Sequence, residues 1–239
     1  MEQTHRIAVR EGVSVTAVET APEDVTSDLV VIYAPGAGSN LNDPFGAYLA
    51  AFLETNGMEC WRFQFPYSEA GRRAPDPPAL LEATWRAVID AVLSGGTKPR
   101  GSRRVASLAT ARGATPRRLV IGGRSMGGRI ASMVAAKGAP VAGLALFAYP
   151  LIPPGRTTSD RSEHFDTISV PALFCSGTRD AFATPQQLRA ASARIPNAAV
   201  HLLEGADHGF ATLKSSGRRR EAVWQEACEA LLAFLETVQ

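Results

Sequence analysis

The chain has 239 residues, 45% apolar and 20% charged, which suits one sizeable globular core and excludes a disordered or collagen-like chain. Its formal net charge of +2 singles out no class of charged partner. The N-terminus, Met-Glu-Gln-Thr-His-Arg, has no apolar signal core and no run approaches a membrane span, so a cytoplasmic protein without membrane contact is expected.

Arg6–Val9 and Val13–Val18 alternate well enough to predict an opening antiparallel hairpin turning at Glu11-Gly12. The polar loop Ala21–Asp28 leads into Leu29–Tyr33, a continuous apolar run that marks a central strand buried on both faces. It ends in Ala34-Pro-Gly-Ala-Gly-Ser-Asn40, a glycine-rich loop that no regular element can absorb. Asn42 or Asp43 can cap the next helix, with Pro44 in its first turn, Phe45, Leu49, Phe52 and Leu53 on its apolar face, and Gly57 at its end. Cys60–Phe65 reads as strand and Tyr67–Pro78 as a proline-rich loop. Ala79–Leu93 follows as a helix, on the three-to-four spacing of Leu80, Leu81, Trp85, Val88, Ile89 and Val92.

The segment Thr97–Arg118 is basic and rich in small residues, with a short helix expected at Val105–Ala111; beyond a solvated surface excursion it suggests no role. From Ala91 to Ser159 there is no acidic residue, while arginines and lysines recur throughout. Further strands are expected at Val141–Tyr149, Ala172–Ser176 and Ala199–Leu203. Pro150–Ser169 reads as a loop or short helix, Pro185–Arg194 as a helix capped by Thr184, and Glu221–Val238 as a long closing helix. Strand-helix alternation of this kind implies a single α/β domain spanning 1–239, with a mostly parallel sheet covered on both faces by helices. Cys60, Cys175 and Cys228 are odd in number and widely spaced, as buried free thiols are.

The most informative stretch is Leu119–Arg129, which opens as an apolar strand, passes through Gly123-x-Ser125-x-Gly127 and turns helical. A nucleophile elbow needs that order, because a sharp, strained turn pushes the serine hydroxyl clear of strand and helix. Five residues of pattern recur by chance, so a serine hydrolase and a hydrolase-shaped scaffold both remain open. A serine hydroxyl needs a base, and the base needs a third group to orient it. In this architecture the chain order is Ser, then acid, then His. His5 precedes the sheet, His201 lies inside a strand pattern and His164 in the proline-rich connection. His208 alone has both the order and a loop just past the last strand. Asp180, beyond Ala172–Ser176, is the first candidate for the acid; Asp207 ranks second, since it would have to fold back onto its own neighbour's ring. Two backbone donors are needed for a developing oxyanion, and Met126 N–H and Ala37 N–H occupy the expected positions.

These motifs together resemble an α/β-hydrolase over essentially the whole chain, similar to the compact, lidless branch that includes dienelactone hydrolase-like esterases. The likeness is greater to the hydrolase-like family shared by a testis-expressed protein and a subunit of the non-specific lethal acetyltransferase complex. Gly122–Gly127, Tyr149-Pro-Leu-Ile-Pro-Pro154, Leu173-Phe-Cys-Ser-Gly177 with Asp180, and Ala206-Asp-His208 carry the match. The resemblance implies catalytic roles for Ser125, Asp180 and His208. Two departures matter. Pro35-Gly36 stands where relatives often have His-Gly, and serine stands where dienelactone hydrolases proper use cysteine, so their substrate does not transfer.

About twenty residues separate the strand ending near Tyr149 from the next, too few for a cap domain. An open site for small soluble esters is therefore expected, lined by Phe45, Tyr67, Tyr149, Phe182 and Phe210, although each of these equally suits core packing. Arg124, beside the serine, is a candidate to attract an anionic substrate group, although an arginine there more often packs or forms an ion pair. A carboxylesterase is the first reading; a catalytically silent interaction module and a small serine peptidase are the alternatives. No cofactor, metal or nucleic-acid partner is expected, since the histidines are scattered and the basic stretch lacks interleaved aromatics. Monomer and homodimer both fit.

Overall fold

Leu29–Ala34 is apolar at every position, and in the computed structural model it lies at the centre of an eight-stranded sheet, buried along its whole length. The structure describes residues 1–95, 117–153, 155 and 161–238. The strands are β1 (Glu2–Arg10), β2 (Val13–Thr20), β3 (Leu29–Ala34), β4 (Glu59–Phe63), β5 (Arg118–Arg124), β6 (Gly143–Phe147), β7 (Ala172–Gly177) and β8 (Ala198–Leu203). Their order across the sheet is β1-β2-β4-β3-β5-β6-β7-β8. β1, β2 and β4 pair antiparallel, and every pairing from β4 through β3 to β8 is parallel.

Because side chains alternate along a strand, β3 feeds two cores. Val30, Ile32 and Ala34 join the core under α3 (Pro78–Leu93), α4 (Met126–Ala136) and α5 (Pro185–Ser192), where Trp85, Val88, Ile130 and Leu188 are buried. Leu29, Val31 and Tyr33 join the opposite core under α1 (Pro44–Thr55) and α6 (Arg220–Leu235), with Phe45, Leu49, Val223 and Leu231. The expected α/β architecture with helices on both faces is thus present. Among the described residues no helix is long and apolar enough to cross a membrane. The three cysteines are free and buried.

Asp43 rather than Asn42 caps α1, its carboxylate accepting from Gly46 N–H at 3.2 Å. Thr184 caps α5 with a reciprocal Gln187 contact. The hairpin strands run longer than the apolar alternation suggests, because the outward face of β1 is polar while His5 points inward and stacks on Trp61 at 4.3 Å. β4 ends at Phe63, and Pro66 then opens the one-turn helix α2 (Pro66–Glu69), read from sequence as the start of a loop. β6 is shorter than expected, since Ala148 takes φ +48° and turns the chain out of the sheet. The 3-10 turn at Lys214–Ser216 was not anticipated, and the helix expected at 105–111 lies outside the described residues.

Candidate active site

The elbow is built by close backbone approach. A Cβ on Gly123 would lie 2.0 Å from the Ala34 carbonyl oxygen, and one on Gly127 would lie 2.2 Å from the same atom. Only glycine lets the end of β3, β5 and the start of α4 meet there. Between them Ser125 takes φ +51°, ψ −114°, close to the first central position of a type II′ turn, where glycine is the usual residue. Its N–H is held by the Phe147 carbonyl at 2.8 Å, and its carbonyl accepts the first bond of α4, from Arg129 N–H at 3.0 Å.

From that turn the Ser125 hydroxyl reaches Nε2 of His208 at 3.0 Å. Nδ1 of the same ring meets both Asp180 carboxylate oxygens, at 3.0 and 2.9 Å. The Asp180 side chain is fully buried, whereas that of His208 is 25% exposed. Two other donors hold the Asp180 carboxylate: Phe182 N–H at 2.8 Å and the Ser176 hydroxyl at 3.2 Å. Phe182 also packs edge-on against the imidazole, with centroids 4.5 Å apart. Geometry of this kind permits proton transfer from serine to imidazole and stabilises the imidazolium that results.

Asp207 has a different task. Its carboxylate accepts from Gly209 N–H at 2.8 Å and Ala211 N–H at 2.9 Å, which shapes the loop that presents His208. The other histidines are engaged elsewhere: His5 with Glu19, His201 with Glu226 and His164 with Ser132.

A cavity of about 260 Å³ adjoins the hydroxyl, lined by Ala37, Ser125 and Met126 on one side and by Pro75, Pro78, Leu81, Ile130, Pro150 and Phe182 around it. Arg129 and Arg161 complete the wall. Among the described residues no acceptor takes the N–H of Ala37 or of Met126. Met126 is the first residue of α4, where N–H groups have no partner within the helix. The loop carrying Ala37 passes against the elbow, since a Cβ on Gly36 would lie 3.5 Å from Ser125 Cβ. It is braced by the Ser68 hydroxyl, which donates to the Ser39 carbonyl at 2.8 Å.

Several expected lining residues lie elsewhere. Phe45 and Phe210 pack together in the core under α1 and α6, with centroids 5.2 Å apart. Tyr67 stacks with Phe65 in the opposite core, its main chain held through Asp76. Tyr149 is buried beneath the cavity, its hydroxyl donating to the Arg161 carbonyl at 2.9 Å. Phe182 alone of the five aromatic candidates faces the cavity. Arg124 is also turned away: it pairs at 3.5 Å with Asp43, which is buried and accepts from the Tyr33 hydroxyl. Burial, and after it the Asp43 charge, pushes the Tyr33 phenol well above its ordinary value. Arg129 and Arg161 were not singled out from sequence. Arg129 stands one helical turn beyond Ser125, a spacing that could have marked it.

Residues 27–236 match the model of the alpha/beta hydrolase domain family. Solved structures of similar fold include an alpha-beta serine hydrolase homologue from Coxiella burnetii, at 19% identity and TM-score 0.71 over 96% of this chain and 97% of that one. A dienelactone hydrolase from Anabaena variabilis aligns at 18% identity and TM-score 0.68, covering 98% and 97% of the two chains. A lidless serine hydrolase from Xanthomonas campestris aligns at 16% and 0.70, covering 98% and 94%.

Proposed function

The chain belongs to the alpha/beta hydrolase domain family, and from that premise we propose that it is a serine carboxylesterase acting on small esters. The observation that carries this reading is the unbroken hydrogen-bond path from the Ser125 hydroxyl through His208 to buried Asp180. The finer sequence likeness to the testis-expressed branch of the family is part of the same proposal.

In the first step His208 Nε2 takes the Ser125 proton while Oγ attacks the ester carbonyl carbon. The carbonyl oxygen becomes an oxyanion and accepts from the N–H groups of Met126 and Ala37, both on the cavity wall. The tetrahedral centre then collapses. The C–O bond to the alcohol breaks, His208 returns its proton to the departing oxygen, and an acyl group remains on Ser125. Water attacks that acyl group in the second step, losing a proton to His208; the C–Oγ bond then breaks, His208 returns the proton to Ser125 Oγ, and the carboxylic acid leaves. Asp180 keeps Nδ1 protonated throughout and balances the charge of the imidazolium.

The test is labelling with a fluorophosphonate followed by peptide mapping, with hydrolysis of 4-methylumbelliferyl esters measured in parallel. Labelling at Ser125 that is lost in Ser125→Ala and weakened in His208→Ala is expected. Folded protein that neither labels nor turns over any ester would make the chain a silent module. Matched ester and amide substrates separate an esterase from a peptidase, and faster turnover of the ester is expected.

A further inference from the structure

Of the described cations in the acid-poor middle of the chain, all but one are matched by acids from elsewhere. Arg117 pairs with Glu59 at 3.1 Å, Arg118 with Asp28 at 2.7 Å, Arg124 with Asp43 at 3.5 Å and Lys137 with Glu82 at 2.6 Å. Arg129 is the exception within this described stretch, and its Nε is buried without a hydrogen-bond partner. Arg161 joins it on the cavity wall, and no ion pair to an acidic residue is seen for it among the described residues. Two guanidinium groups thus share one small cavity beside a nucleophile, and no carboxylate of the described protein answers either.

Among the described residues nothing negative offsets these two charges, so the arrangement favours an anion. Burial, and then the charge of Arg129, hold Arg161 below the ordinary guanidinium value, with Tyr149 acting the other way. The rest of the wall is apolar: three prolines, Leu81, Ile130 and Phe182. Such walls keep the local dielectric low and strengthen the pull on an anion. Arginine suits a planar carboxylate, since its N–H groups match two oxygens at once. The Arg161 main chain is anchored at both ends of its peptide, its N–H donating to the Leu151 carbonyl at 3.2 Å and its carbonyl accepting from Tyr149.

The cavity also has a side. It is lined by Ser125 and by both oxyanion donors, but not by His208, which must reach the departing alcohol. The part of the ester inside it is therefore the acyl part. At about 260 Å³ it lies just under the ~300 Å³ where ordinary ligand pockets begin, room for a short chain only.

We propose that the preferred substrates are half-esters of short dicarboxylic acids, the free carboxylate lying between Arg129 and Arg161 and the apolar spacer against the proline-rich wall. This rests on the serine-hydrolase reading above. The test compares 4-methylumbelliferyl hydrogen succinate and hydrogen glutarate with neutral butyrate and valerate esters of the same leaving group. For wild type, kcat/KM is expected to favour the anionic ester of each pair by about 10–100-fold, the range that a charge-assisted hydrogen bond supports. Arg161→Gln and Arg129→Gln should each bring that ratio close to 1, Arg161→Lys should recover part of it, and Arg189→Gln, an exposed position on α5, should leave it at the wild-type value. Equal turnover of neutral and anionic esters by wild type would overturn the proposal and leave the hydrolase reading standing. Turnover of neither, without fluorophosphonate labelling, would overturn both. A ratio that survives both glutamine substitutions would place the anion elsewhere and refute the assignment to this pair.

Discussion

Replacing Ser125 by glycine should leave a more stable protein than replacing it by alanine. Both substitutions remove the hydroxyl and its 3.0 Å contact with His208, so they differ only in the Cβ. In most places that difference favours alanine by about 0.5–1 kcal/mol, because glycine loses more backbone freedom on folding. At φ +51°, ψ −114° the order inverts. A residue with a Cβ in so sparsely populated a region carries about 1–3 kcal/mol of strain, which glycine does not. The difference leaves the glycine variant ahead by about 1 kcal/mol, a rise in midpoint of roughly 2–4 °C for a chain of this size. Urea unfolding of the two variants at pH 7, with equal slopes required before midpoints are compared, measures it directly. An alanine variant that is more stable by 0.5 kcal/mol or more would show that the turn is relaxed and that the strain argument is wrong. Both variants should be inactive, so stability and activity part company at this one residue.

Two further outcomes follow from the hydrogen bonding. Asp180→Asn should keep the contacts of the side chain with Phe182 N–H and Ser176 but present an amide to His208, which disfavours the needed tautomer. A loss of about 10³–10⁴-fold in kcat with a nearly unchanged unfolding midpoint is expected, and a loss below tenfold would remove Asp180 from the mechanism. Glu69 tests the opening hairpin. Burial raises its carboxyl, but Thr16, Gln64 and Arg6 together outweigh that and hold it below the ordinary value. A carboxyl depressed in the fold stabilises it above the unfolded-state value and ceases to do so as pH falls through the folded one. The stability gap between wild type and Glu69→Gln should therefore be about 1 kcal/mol at pH 7 and close in acid, below the usual glutamate range. A gap that is constant with pH would contradict the assignment.

The legible parts of the molecule were those in which one chemical demand admits one residue type. Gly123 and Gly127 could be read because the backbone contact at Ala34 tolerates no Cβ, and β3 because only a doubly covered strand is apolar at every position. Ser125, Asp180 and His208 were legible as an order along the chain, and the structure brings the three together. Aromatic residues were poorly legible, because Phe45 and Phe210 would look the same in sequence at a cavity wall as in a core. The arginines were poorly legible for a related reason, although the ion-pair reading of Arg124 holds. Sequence proximity favoured Arg124, yet residue 124 ends β5 on the side of buried Asp43, while Arg129, one turn into α4, faces the cavity. Nothing in a linear reading tells which cation has its acid, because Glu59, Asp28 and Asp43 arrive from distant segments.

The order of the strands also has a consequence for time. Ser125 and His208 are 83 residues apart, and Arg118 at the start of β5 meets Asp28 across 90. Parallel pairing between such distant segments restores little until long loops have closed, and the entropy of closing them must be met first. Helices such as α3 and α6 need no such closure and can form early in a refolding chain. The proposed capacity to hydrolyse esters therefore emerges only when β3, β5, β7 and β8 lie in register together. A nascent or partly folded chain carries Ser125, Asp180 and His208 without their alignment, so under the proposed mechanism its surroundings meet no activated serine before the fold is complete.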